Sequence, residues 1–137
     1  LVSCDNAHAL HPNHSEKTDA VNYVTMNGGI VIKESANQKY TTDAFSRALF
    51  TGICQNVNVP VQCFANRSDI LGGSTLGNLS NTQVSVHAVD FGLAQLAMHS
   101  CFETAGVKDT EYAIIALKEF YETNVQIEEA ESVCLEK

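Results

Sequence analysis

Ser3-Cys4-Asp5-Asn6-Ala7-His8-Ala9-Leu10-His11-Pro12-Asn13 leaves the end of a short apolar run, Leu1 to Cys4. The run reads as a strand, and Asp5 stands where a strand end delivers a side chain to a cleft. A carboxylate there can hold a hard or borderline cation such as zinc. His8, His11 and His14 follow three residues apart. Histidines so placed can bind metal, orient a ligand or stabilise charge on a substrate. The same spacing arises by chance in ordinary loops, and both readings stand at this point. His14, beside Ser15-Glu16-Lys17, reads as solvated. A second stretch, Gln95-Leu96-Ala97-Met98-His99-Ser100, carries one imidazole at the edge of an apolar run. Taken alone, His99 reads better as a hydrogen-bonded core histidine. Asp5 and His99 are too far apart in sequence for a local zinc knuckle. Only the fold can bring them to one metal site.

Outward from these stretches, Asp5 to Asn27 is polar and has no clear period, so it reads as a long irregular loop. Gly28-Gly29 leads into Ile30-Val31-Ile32-Lys33-Glu34, a β-branched strand. Lys33, among apolar neighbours, is either a solvent-facing base or a counter-charge for an acidic ligand. Thr41 or Thr42 is placed to cap a helix with Asp43 in its first turn. Phe45, Ala48, Leu49 and Ile53 predict the buried face of that helix, and Asn56 to Asn58 its end. Val59 to Ala65 is the next strand, with Pro60 near its start. Leu71-Gly72-Gly73-Ser74-Thr75-Leu76-Gly77 is a glycine-rich turn able to open a short helix. No lysine follows its last glycine and its spacing is not GxGxxG, so it is neither a Walker loop nor a dinucleotide fingerprint. A bare turn and a backbone nest for a carboxylate or carbonyl oxygen both remain open.

Val84, Val86 and Ala88 alternate with polar residues in a predicted strand ending at Asp90. Glu103 to Gly106 reads as a helical turn stopped by glycine. Asp109 or Thr110 is expected to cap the last long helix, with Ala113, Leu117, Phe120 and Tyr121 buried. From Val125 onward the chain is expected to fray. Strands alternating with helices predict an α/β fold with a mixed, partly parallel sheet flanked by helices. It occupies residues 1–124, and 125–137 form an acidic tail.

The 137 residues suffice for one domain with a modest core. With 16 acids against 8 bases and a net charge of −8, general nucleic-acid binding is not expected. Glu119, Glu122, Glu128, Glu129, Glu131 and Glu136 read as a solvated helix face and tail. No apolar run approaches the ~18 residues of a membrane span, and no membrane partner is expected. There is no signal-peptide layout. The five cysteines are odd in number and none has CxxC spacing. That argues against a disulfide framework or a cysteine-based zinc site and for a reducing, cytoplasmic setting. The cysteines read as apolar filler. The chain begins at Leu1, inside a strand, which leads us to expect a fragment of a longer protein or one whose N-terminal part has been removed.

Taken together, the segments resemble the C-terminal part of the aspartyl aminopeptidase and aminopeptidase I family of zinc metallopeptidases. The pieces that carry the resemblance are residues 3–13, Gly29 to Lys33, Asn37 to Tyr40, Asn66 to Asp69, Gly72 to Gly77, Val89 to Gly92 and 94–100, in order and spacing across residues 1 to about 122. The resemblance implies a two-zinc exopeptidase that removes N-terminal residues, acidic or otherwise unblocked, from peptides, and a homo-oligomer. It implies that Asp5 and His99 are metal ligands, that His8 and His11 support activity, and that Lys33, Tyr40, Gly72 and Gly73 meet the substrate. It also implies that the first zinc histidine, the bridging aspartate and the Glu-Glu pair holding the general base come from upstream residues. No catalytic base is then expected in this chain, and the chain alone should be inactive. His87, Ala94, Phe102 and Leu71 depart from the family pattern, which wants a basic residue, a proline, an arginine and a proline there. A non-catalytic relative or fragment serving as an assembly module is the alternative.

Overall fold

The computed structural model describes residues 1–129 and 132–136. Its central strand is β3, Ile30–Glu34. Ile30, Val31, Ile32 and Lys33 are all buried. Successive side chains of a strand point to opposite faces, so both faces of β3 are covered. Ile30 and Ile32 join Phe50, Ile53, Val89 and Phe91 in one core. Val31 joins Ala7, Ala9, Val24, Tyr40, Phe64 and Ala94 in the other. Lys33 shares the parity of Val31, and this is why an ammonium is delivered to the second face.

Around β3 the sheet is mixed. β1 (Val2–Cys4) runs parallel to β5 (Val89–Gly92). β5 is antiparallel to β3, and β3 is parallel to β4 (Val61–Ala65). The order is β1-β5-β3-β4. A helical crossover, α1 (Ala44–Asn56), joins the parallel pair β3 and β4. With α3 (Val107–Glu122) it covers the first core. A short helix, α2 (Leu76–Asn81), follows the glycine-rich turn.

A smaller three-stranded sheet continues the first. It consists of β2 (Ala7–His8), β6 (Ala94–Leu96) and β7 (Thr104–Ala105), with β6 in the middle. The two sheets are joined by one parallel ribbon. Backbone bonds run from Asp5 N to Phe91 O (2.9 Å), Ala7 N to Leu93 O (2.9 Å) and Ala9 N to Gln95 O (2.8 Å). The ribbon bends at Asp5 and Asn6, where the Asn6 side-chain oxygen accepts from Leu93 N (3.0 Å). The bend passes so close to Gly92 that a β-carbon there would collide with the Asp5 carbonyl.

Several sequence expectations are corrected. The helix α1 is capped by Asp43, which accepts from Ser46 N and forms a capping box with it. Thr41 and Thr42 are engaged elsewhere. Asp90 Oδ2 accepts from Thr41 N (2.6 Å) and Oγ1 (2.8 Å), and Thr42 Oγ1 accepts from Asp90 N (2.9 Å). The buried face of α1 is Ser46, Phe50, Ile53 and Cys54; Ala48 is exposed. Val84 and Val86 are exposed and outside any strand, because β1 and β3 pair with 89–92 instead. Thr104–Ala105 is a strand rather than a helical turn, and α3 starts at Val107 after Gly106. Tyr121 is 81% exposed, and Glu119 is buried rather than solvated.

The long loop is interrupted by β2 and a 3-10 turn at Ser15–Lys17. The expected fraying is replaced by an antiparallel hairpin, β8 (Asn124–Glu129) with β9 (Ser132–Glu136). Its Leu135 packs on the first core. Glu131 of the predicted acidic tail lies outside the described residues. Among the described residues no helix is long and apolar enough to cross a membrane.

Candidate functional site

Asp5 leaves the bend between β1 and β2, His8 ends β2, and Lys33 comes from β3. Tyr40 precedes α1, Gly72 and Gly73 precede α2, and His99 lies in the turn after β6. These seven residues line one cavity of about 300 Å³. His11, the remaining sequence candidate, lines an adjoining cavity, to which His8 also contributes.

Lys33 is the centre of the first cavity. Its side chain is 3% exposed, and its ammonium donates to Asp5 Oδ2 at 2.8 Å and to the Asn6 carbonyl at 3.1 Å. It also stands 4.5 Å from the centre of the Tyr40 ring, a distance at which cation–π attraction operates. Of the two sequence readings for Lys33, the solvent-facing base is therefore excluded. The Tyr40 hydroxyl accepts from Asn66 Nδ2 at 2.9 Å. Burial raises the Tyr40 phenol above its ordinary value, partly offset by that bond. Burial, then the charges of Lys33 and His99, lower the His8 imidazole against the pull of Asp5.

The turn that carries His99 is built from polar bonds. Ser100 N donates to Ala97 O (3.0 Å) and Phe102 N to Ser100 Oγ (3.0 Å). His99 N donates to Glu103 Oε1 (2.6 Å). Ala97 and His99 have left-handed backbone angles, with φ of 55° and 66°, a conformation that costs any residue with a β-carbon. His99 is therefore exposed on a tight turn, not a core histidine.

Sequence reasoning quoted Asn66 without giving it a role, and missed Asn6. Asn66 holds Tyr40 and crowds Gly72, where a β-carbon would collide with its amide. The signal was the glycine itself. Asn6 ties the bend to β6 through Gln95 Oε1 (2.6 Å). Of the positions that depart from the family pattern, His87 stacks on Phe45 (4.3 Å) and Leu71 and Phe102 are exposed. Ala94 is buried in β6.

An imidazole and a carboxylate are zinc donors, but a zinc site takes three or four protein ligands. Among the described residues no group of three or more His, Cys, Asp or Glu is arranged to hold a metal ion. Asp5 and His99 are two donors of the types zinc takes, fewer than the three or four ligands of a complete site.

Comparison with known proteins identifies the family. A family model described as aminopeptidase I zinc metalloprotease (M18) matches residues 1–121. A probable M18 family aminopeptidase 2 of Clostridium novyi is 47% identical over 121 residues, 88% of this chain and 28% of that protein. The chain thus spans about 28% of the length of such relatives. Among solved structures, a complex of Ape4 and Nbr1 matches at 41% identity and a TM-score of 0.87, over 89% of this chain and 23% of that one. A yeast mApe1 dodecamer matches at 26% identity and a TM-score of 0.77, over 88% and 26%.

Proposed function

The chain belongs to the aminopeptidase I (M18) family, and from that premise we propose that it is the C-terminal part of the catalytic domain of a zinc aminopeptidase. The substrates are peptides with an unblocked N-terminus, acidic residues among them. The observation that carries this reading is the convergence of Asp5, His8, Lys33, Tyr40, Gly72, Gly73 and His99 on one cavity.

In this reading Asp5 and His99 hold metal together with ligands outside the 137 residues, and the general base also lies outside. Two zinc ions in such a site supply Lewis acidity to a water and to a carbonyl oxygen. The residues present do the positioning. Lys33, packed on Tyr40, pairs with the carboxylate of an acidic N-terminal side chain by exchanging its Asp5 contact for the substrate. His8, from β2 beside Asp5, orients the first peptide carbonyl. The Gly72-Gly73 turn leaves backbone without side chains against the substrate. A homo-oligomer is part of the proposal. The yeast dodecamer supports it, as do the exposed Leu71, Leu76, Leu79 and Val107. A reducing, cytoplasmic setting is also part of it, supported by five free cysteines.

The test is a graft. Assayed alone with zinc, the chain should release no N-terminal residue from Asp-, Glu- or Leu-peptides. Placed in the Clostridium novyi relative in exchange for the 121 residues that it matches, it should support release, and His99→Ala should abolish it. A folded, zinc-loaded graft with no activity, beside an active parent, would favour the assembly-module alternative.

A further inference from the structure

The cavity lined by Asp5, Lys33 and His99 has a neighbour that the proposed function does not use. This second cavity, about 340 Å³, is lined by His8, His11, His14, Lys17 and Arg67 around an apolar wall that includes Phe64. Its size is in the range of small-ligand sites. The two cavities share His8, Phe64, Asn66 and Ile70. A peptide whose first residue lies against Lys33 and Tyr40 brings its first carbonyl to His8. Its second residue then continues into the second cavity.

The chemistry of that lobe is unlike the rest of the chain. The whole carries a net charge of −8, yet the acid lining this lobe is Asp19, against two bases and three imidazoles. Asp19 is turned to its own loop, where it accepts from Val21 N (3.0 Å) and Asn22 N (2.7 Å). Arg67 is engaged by Asp69 and by the Glu16 carbonyl. His14 meets Glu16 at 3.2 Å, and the same carboxylate faces Lys17. His11 Nδ1 accepts from Asn13 N at 3.2 Å, so a neutral His11 carries its proton on Nε2 and is a donor. Among the described residues the Lys17 ammonium makes no ion pair, unlike Arg67 and His14, so His11 and Lys17 are the groups of this lobe best placed to receive an anion.

We infer that this second cavity binds the peptide residue after the N-terminal one, and selects it for a carboxylate. The inference rests on the peptidase reading for the identity of its ligand. The carboxylate comes from an acidic side chain at the second position or from the C-terminus of a dipeptide.

The experiment is an NMR titration of the isotope-labelled 137-residue protein with four peptides: Ala-Asp-amide, Ala-Asn-amide, Ala-Ala and Ala-Ala-amide. Signals of His11 and Lys17 report the second lobe, and those of Gly72 and Gly73 the first. Ala-Asp-amide or Ala-Ala should move His11 and Lys17 and bind about fivefold more tightly than its uncharged counterpart, the size of one partly exposed charge contact. Discrimination by Ala-Asp-amide alone assigns the site to side chains. Discrimination by Ala-Ala alone assigns it to C-termini, and either supports the inference. Lys17→Ala, at an exposed position, should remove the preference without unfolding the protein. Equal binding of charged and uncharged peptides overturns the inference. So does a preference that survives Lys17→Ala, a response at Gly72 and Gly73 with none at His11 and Lys17, or no response at all. The converse pattern, His11 and Lys17 responding while Gly72 and Gly73 stay still, keeps the carboxylate site and counts against the peptidase reading.

Discussion

The four-stranded and three-stranded sheets are joined by one parallel ribbon, but they are held by different forces. Ile30, Ile32 and Phe91 of the larger sheet, with Phe50 and Ile53 of α1 packed on it, are at most 2% exposed. The smaller sheet has strands of two or three residues, and β7 is exposed. Around it, polar bonds from Asn6 and Glu103 and two left-handed residues set the geometry. Burial is nondirectional, and it fixes the scaffold. Side-chain hydrogen bonds are directional, and they aim the site. The first half should therefore respond to substitution in stability and the second in ligand binding.

Substitutions at three positions test that division. Phe50 packs on Phe91 (4.9 Å) and Phe120 (6.3 Å). Phe50→Ala should cost about 3–5 kcal/mol in urea unfolding, as for other buried aromatics. A loss under about 1 kcal/mol, well below that range, would break the comparison at its stronger end. At the N-cap of α1, Asp43→Ala should cost about 1 kcal/mol, the usual value of such a cap.

Asp43 also makes the effect depend on pH. Burial raises its carboxyl, but the bonds from Ser46 and the nearness of His87 outweigh this and hold it below the ordinary value. A depressed carboxyl stabilises the fold above the unfolded value, about 3.9, and the gain is lost as pH falls through the lower folded value. Asp43→Asn keeps a capping oxygen without the charge. Its stability should approach that of the unsubstituted protein on acidification through that window. A constant difference between the two would refute the charge contribution. The smallest effect has the opposite sign. His99→Gly relieves a left-handed backbone and should raise stability by about 0.5 kcal/mol. A clear loss would show that His99 belongs to the scaffold.

The same division governs what was legible in the sequence. Ile30–Glu34 is evident because β-branched residues occur together; on α1, Ile53 and Leu49 meet the core as expected, while Phe50 and Cys54 are buried there in place of Ala48. Asp43 could not be separated from Thr41 and Thr42 as the cap, since only the tertiary contact with Asp90 removes the two threonines from contention. The hairpin 124–136 was hidden by its acidic residues and by a connection without the Asn-Gly or Gly signal of a tight turn. Asp5 and His99 were legible as residue types in motifs. The bend that turns Asp5 outward, the left-handed turn beneath His99 and the Asp5–Lys33 pair were not, because each depends on residues distant in sequence.

If Asp5 and His99 present one partial metal site, zinc titration of the labelled protein, followed through the His imidazole and Asp5 backbone signals, will show it. We expect weak binding that moves Asp5 and His99 together and is lost in both Asp5→Ala and His99→Ala. Zinc that shifts His11 and His14 while leaving Asp5 and His99 unmoved, or that binds equally to both variants, would contradict it.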